Sequence, residues 1–420
     1  MRRKKSGETV RKVLEGGMRE GVFPGAVLLV AREGEVVFFE ATGNRSILAE
    51  TAPMKRDTIF DLASLTKPLA TTVAFMKLVD TGRVGLDQPI SELIEASPLG
   101  DKKDLTPRLL LNHSAGLVDW KPYYLKLVEF DPRERKKVLR DSIIQEPFVY
   151  KPGEGNFYSD LGFMLLEWVI EEREGESMPQ VLDRYFYGPL GLKRTFFVAT
   201  REGQNPPQPP FTKGGGGREG TKGGAGKGEG GVHDTTEAAD SRFCGNDEEG
   251  FERGNKGYSK GEFAATENCP WRKEIIQGVV HDENAYAVGG YSGHAGLFGT
   301  AEEVHVLVNL LREHYPGKRN DYLKPETVRE FFTRQNIAKE STWALGWDTP
   351  TSEDSSSGRY FSENSVGHLG FTGTSIWMDL EKNVIVILLT NRLHPTRNNE
   401  RIKAFRPKIH DAVMGSLNLD

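Results

Sequence analysis

Phe60-Asp61-Leu62-Ala63-Ser64-Leu65-Thr66-Lys67-Pro68 sets a serine and a lysine three residues apart at the entry to a helical run. A hydroxyl is a poor nucleophile until a neighbouring base takes its proton, and residues three apart on a helix share a face. Lys67 can therefore reach Ser64 without help from distant parts of the chain. The apolar pattern predicts that the helix continues through residues 69–78 and stops at Gly82, a C-terminal signal. The positive end of a helix favours an anionic oxygen and disfavours an ammonium, so a neutral Lys67 acting as base is the expectation. Taken alone, such a tetrapeptide is more often an N-cap serine followed by a solvated lysine, and Pro68 suits a first helical turn on either reading.

Upstream, residues 26–31 and 35–39 read as two strands joined by the hairpin loop Arg32-Glu33-Gly34. Downstream come helical stretches at 90–96, 107–111, 133–145, 161–172 and 178–187. Strand patterns return at 373–379 and 383–390, and a helix spans about 400–414. Strands at both ends with helices between predict an α+β fold, in which an antiparallel sheet is built from the N- and C-terminal segments and flanked by helices. Residues 1–85 and 285–420 are expected to form this α/β lobe, and 86–284 an inserted, mainly α-helical lobe. A ligand cleft is expected between them. Residues 202–261 hold 17 of the 47 glycines, which predicts a disordered insertion.

The 420-residue chain carries 55 basic and 60 acidic residues for a net charge of -5, so no basic surplus is available for a phosphate backbone. A small-molecule or peptide substrate is expected, with no nucleic acid partner; no oligomeric state is read from the sequence. The basic start Met1-Arg2-Arg3-Lys4-Lys5 leads into no apolar segment, and the longest apolar runs, such as 384–389, are strand-sized. A cytoplasmic protein without a membrane span is the expectation. Cys244 and Cys269 are the only cysteines, which argues against a structural disulfide or a closed zinc site. His281-Asp282-Glu283-Asn284, with His294 nearby, has no helix-spaced ligand pair, so neither metal nor cofactor is expected.

Two further motifs carry chemistry. In Tyr158-Ser159-Asp160, a tyrosine beside an ammonium can relay a proton and Asp160 can accept from Lys67, although Asp160 also stands where an N-cap belongs and Tyr158 fits a core aromatic. In Gly367-His368-Leu369-Gly370-Phe371-Thr372-Gly373-Thr374, amides left uncovered by glycine can face a developing oxyanion, and His368 can orient or protonate a substrate group, although taken alone the stretch more often reads as a Gly-rich strand entry with a satisfied histidine.

Taken together, S-x-x-K, Tyr-x-Asp and His-x-Gly in this order resemble the serine beta-lactamase and penicillin-binding-protein superfamily. The resemblance is closest to its class C-like branch, which includes D,D-peptidases, D-aminopeptidases and family VIII esterases. Phe23-Pro24-Gly25-Ala26, residues 110–117, Gly188-Pro189-Leu190-Gly191-Leu192 and Gly293-His294-Ala295-Gly296-Leu297-Phe298 are also similar to this branch. The resemblance implies a beta-lactamase/transpeptidase-like fold and an acyl-enzyme on Ser64, with Lys67 and Tyr158 sharing the proton transfers. The amides of Ser64 and Phe371, which follows Gly370, would form the oxyanion hole. Asp160 replaces a usual Asn and His368 a frequent Lys, so esterase or D-amino-acid peptidase activity is expected over strong lactamase activity. A non-catalytic penicillin-binding-like sensor is the alternative.

Overall fold

The computed structural model describes residues 2–48, 50–95, 98–200 and 257–417. Its centre is a six-stranded antiparallel sheet whose strands lie in the order β3 (Ala52–Pro53), β2 (Glu35–Ser46), β1 (Gly25–Arg32), β11 (Val384–Thr390), β10 (Ser375–Asp379) and β9 (Ser365–Leu369). Short strands β4 (Phe60–Asp61), β5 (Phe196–Phe197), β6 (Asn268–Cys269), β7 (Glu274–Ile275) and β8 (Leu297–Gly299) lie between β3 and β9 in the chain. The two ends of the chain meet at the β1–β11 seam, where Leu28 faces Leu388.

Side chains alternate across a strand, and here both faces are covered, so β1 and β11 read as continuous apolar runs. Ala26, Leu28, Val30, Val386 and Leu388 pack with Val10 and Leu14 of helix Arg2–Arg19 and with Phe405, Ile409 and Val413 of helix Ile402–Ser416. On the other face Val27, Leu29, Ile385 and Ile387 join a cluster with Leu69, Val73, Phe163, Leu166 and Val308. That cluster runs without a break from the sheet into the helices that include Pro107–Leu111, Pro132–Ile144 and Asp160–Glu174.

Several sequence expectations need adjustment. Helix Arg2–Arg19 was not expected, because its apolar positions are sparse and its stability comes from docking on helix Ile402–Ser416. The helix foreseen at 90–96 is only a 3₁₀ turn, Ile90–Glu92, and Ala96 lies outside the described residues. Of the Gly-rich segment 202–261, residues 202–256 with Cys244 lie outside the described residues. Lys260–Glu262 forms a 3₁₀ turn capped by Ser259. Among the described residues no helix is long and apolar enough to cross a membrane.

Candidate active site

Ser64 sits in a 3₁₀ turn, Ala63–Leu65, immediately after β4. Lys67 opens a π-helical turn, Lys67–Thr72, which passes into the α-helix Val73–Asp80. Such wide turns are rare and recur at functional sites. The turn before Ser64 is held in a costly conformation: Ala63 has φ 48°, and its amide donates to Asp61 Oδ1 at 2.9 Å. Asp61 Oδ2 accepts from the His281 amide at 2.7 Å. Burial pushes the Asp61 carboxyl up, with these two amides opposing. Thr66 Oγ1 donates to Ala63 O at 2.7 Å and accepts from the Leu297 amide at 3.1 Å.

The Lys67 side chain is fully buried, with Nζ 3.2 Å from Ser64 Oγ, 2.6 Å from Asp160 Oδ1 and 3.3 Å from His294 O. Burial by itself pushes this ammonium down, but the Asp160 carboxylate, followed by Tyr158, reverses the direction, and Lys67 titrates above its ordinary value. The neutral lysine expected from the helix dipole is therefore corrected: a partial charge at a helix end is outweighed by a carboxylate in contact. The N-cap reading of Asp160 is corrected too. Ser159 occupies the cap position, and Asp160, the first helical residue, turns to Lys67.

Tyr158 stands over this pair, its ring centroid 4.8 Å from Lys67 Nζ. Burial pushes its phenol up, Lys67 opposes and Asp160 reinforces, and the result is a neutral phenol at rest. His113 supports the ring from behind at 4.6 Å between centroids, while its Nδ1 accepts the Ser159 amide at 3.1 Å. Burial, then Lys67 and His368, hold His113 neutral.

Gly293 and His294 cross behind the Lys67 turn. Thr71 Oγ1 donates to Gly293 O at 2.6 Å, and Glu167 Oε2 accepts from the Gly293 amide at 2.9 Å. A Cβ on Gly293 would lie 2.0 Å from Phe163 O. Gly293→Ala is therefore expected to destabilise the protein by about 3 kcal/mol, read as a lower urea midpoint, because backbone on both sides must shift.

The β9–β10 turn closes the other side. Thr372 Oγ1 donates to Asp61 O at 2.9 Å and Thr374 Oγ1 to Leu62 O at 3.3 Å, which fastens the turn to the strand leading into Ser64. Gly370 permits this approach, since a Cβ there would meet Thr374 Oγ1 at 2.0 Å and Leu62 O at 2.8 Å. Phe371 is half exposed at the turn. His368 lies behind Tyr158, 6.1 Å between ring centroids, and donates through Nδ1 to Leu369 O at 2.8 Å. Burial, followed by Lys67, pulls His368 down to about 3, so it carries no charge near neutral pH.

These elements enclose a cavity of 380 Å³ whose lining includes Ser64, Tyr158, Asp160 and Phe371. Sequence reasoning missed its far wall. His281 Nε2 meets Glu267 at 3.1 Å, Asp282 meets His294 at 3.0 Å, and Glu283 meets Arg397 at 2.5 Å. Burial pushes the Glu267 carboxyl up, but the hydrogen bonds from His281 and Arg397 together outweigh it and hold Glu267 down to about 2. The three adjacent residues 281–283 thus face three different partners. Among the described residues no His, Cys, Asp and Glu cluster has the form of a metal site.

A family model described as Beta-lactamase matches residues 10–408. An N-acetylmuramyl-L-alanine amidase of Bacillus subtilis (strain 168) is 30% identical over 413 residues, covering 92% of this chain and 80% of that protein. A putative D-alanyl-D-alanine carboxypeptidase of Salmonella newport (strain SL254) is 28% identical over 396 residues, covering 90% of this chain and 81% of its own. Among solved structures, EstCE1, a hydrolase with promiscuous acyltransferase activity, superimposes with a TM-score of 0.67 at 22% identity, covering 98% of this chain and 99% of its own. The octameric penicillin-binding protein homologue from Pyrococcus abyssi gives 0.65 at 19% identity, covering 97% and 77%.

Proposed function

Because the chain belongs to the beta-lactamase family, we propose that it is a serine hydrolase that cleaves an ester or amide through an acyl-enzyme on Ser64. The observation that carries this reading is Lys67 Nζ, at once 3.2 Å from Ser64 Oγ and 2.6 Å from Asp160. Ser64 Oγ attacks the carbonyl carbon as its proton passes to the Lys67–Tyr158 pair. The amides of Ser64 and Phe371 receive the oxyanion, and the pair returns the proton to the leaving group as the acyl-enzyme forms. Water then attacks the ester carbonyl as the same pair takes its proton, and the C–O bond to Ser64 breaks as the pair returns that proton to Ser64 Oγ, releasing the carboxylic acid.

At rest the pair holds one proton too many, since Lys67 and Tyr158 both titrate above their ordinary values. Acylation therefore increases along the rising limb of its pH profile, as the competent, singly deprotonated pair accumulates. Asp160→Asn removes the main influence holding Lys67 up and leaves burial to dominate. The limb is expected to move to lower pH, measured as the pH dependence of kcat/KM on a p-nitrophenyl ester.

The amidase and carboxypeptidase relatives favour an amide substrate. On β9, where a fixed cation would grip a substrate carboxylate, the neutral His368 supplies none. Arg397, on the far wall, is already engaged by Glu267 and Glu283. Short-chain esters and D-amino-acid amides are accordingly favoured over beta-lactams.

Intact-protein mass spectrometry after incubation with a p-nitrophenyl ester or a fluorescent penicillin tests the reading. A transient adduct mapped to Ser64 supports it. Equal labelling or turnover by wild type and Ser64→Ala refutes it, and an adduct that persists for hours marks a penicillin-binding-like sensor instead.

A further inference from the structure

The β9–β10 turn presents three carbonyls away from the cavity, and two arginines take them. Arg406, from helix Ile402–Ser416, donates through Nη2 to Gly370 O and to Thr374 O, each at 2.8 Å. Arg392, just past β11, donates through Nε to Phe371 O at 2.8 Å, and its Nη1 goes to Arg397 O at 3.2 Å and Asn399 O at 2.6 Å. Among the described residues neither guanidinium contacts a carboxylate. Arg406 is 6% exposed, and its Nε finds no acceptor.

A buried cation without a counter-ion is expensive. Closing the turn does not require it, since the Gly370 amide already donates to Thr374 O at 2.8 Å. Gly370 O and the Phe371 N–H belong to one peptide group, so a charge-assisted hydrogen bond on the carbonyl polarises that group and makes its N–H a stronger donor.

We propose that Arg406 is a positioning residue of the oxyanion hole: by capping Gly370 O it orients and polarises the Gly370–Phe371 peptide whose N–H receives the developing negative charge. The proposal rests on the assignment of the Phe371 amide as an oxyanion donor. Arg406 remains charged near neutral pH, since burial, with Arg392 adding, lowers it only to about 9. Arg392 caps the next peptide, Phe371–Thr372, and so holds the turn without acting on the donor.

The test uses the full chain, a p-nitrophenyl ester carrying a ¹³C-labelled carbonyl, stopped-flow acylation and the infrared band of the acyl-enzyme. Arg406→Met is expected to slow acylation about tenfold, a fraction of what losing an oxyanion donor outright costs, with KM within about twofold. Its acyl carbonyl band is expected at higher wavenumber than in the wild type, and in Arg392→Met the band is expected to stay in place. If Arg406→Met does not fold, Arg406→Gln, which keeps a neutral donor, is expected to raise the band in the same direction. An unmoved band in a folded Arg406 variant overturns the proposal, as does an equal displacement in Arg392→Met, which would mean that both residues only hold the turn. Equal turnover by wild type and Ser64→Ala would instead overturn the hydrolase reading itself.

Discussion

Ser64→Ala is expected to lower kcat/KM on any turned-over ester by at least about 10⁴-fold while leaving the unfolding midpoint unchanged, because only the attacking oxygen is lost. That hydroxyl is only one of the partners of Lys67 Nζ, at 3.2 Å. Lys67 keeps its contacts with Asp160 at 2.6 Å and His294 O at 3.3 Å, so the buried ammonium is not orphaned. The decisive measurement is paired: rate on a p-nitrophenyl ester, and urea unfolding of the same preparation. Equal turnover by wild type and variant would remove Ser64 from the chemistry.

Lys67→Met is expected to cost about 10³-fold in kcat/KM through loss of the proton acceptor. Unlike the serine change, it should also destabilise, by about 3 kcal/mol, since the Asp160 side chain, 15% exposed, loses its partner. Combining it with Asp160→Asn is expected to recover most of the stability and none of the activity. That separation distinguishes a lysine that handles protons from one that only neutralises a carboxylate. A Lys67→Met protein with wild-type rates would refute the role.

The parts of the site that could be read from the sequence were the local ones. Ser64 and Lys67 are three residues apart, and the order of the three motifs brought in Tyr158, Asp160 and the Gly370 turn. The charge state of Lys67 was not legible, because it depends on a carboxylate delivered by another helix at contact distance. The same holds for the far wall, where Arg397 reaches back across more than 100 residues to Glu267 and Glu283. Among the sheet strands, β1, β10 and β11 announce themselves as apolar runs. The outer half of β2 does not, since Glu40 and Arg45 lie on its half-exposed length.

The β1–β11 seam has a consequence for biosynthesis. Val27 pairs with Leu389, and the turn holding Ser64 is fastened to Thr372, so residues made early wait for residues made late. A fragment lacking β9–β11 is expected to leave the Ser64 turn without its Thr372 and Thr374 supports. Because the contacts that close the sheet join residues more than 300 positions apart, their formation is expected to be slow relative to that of the helices between them.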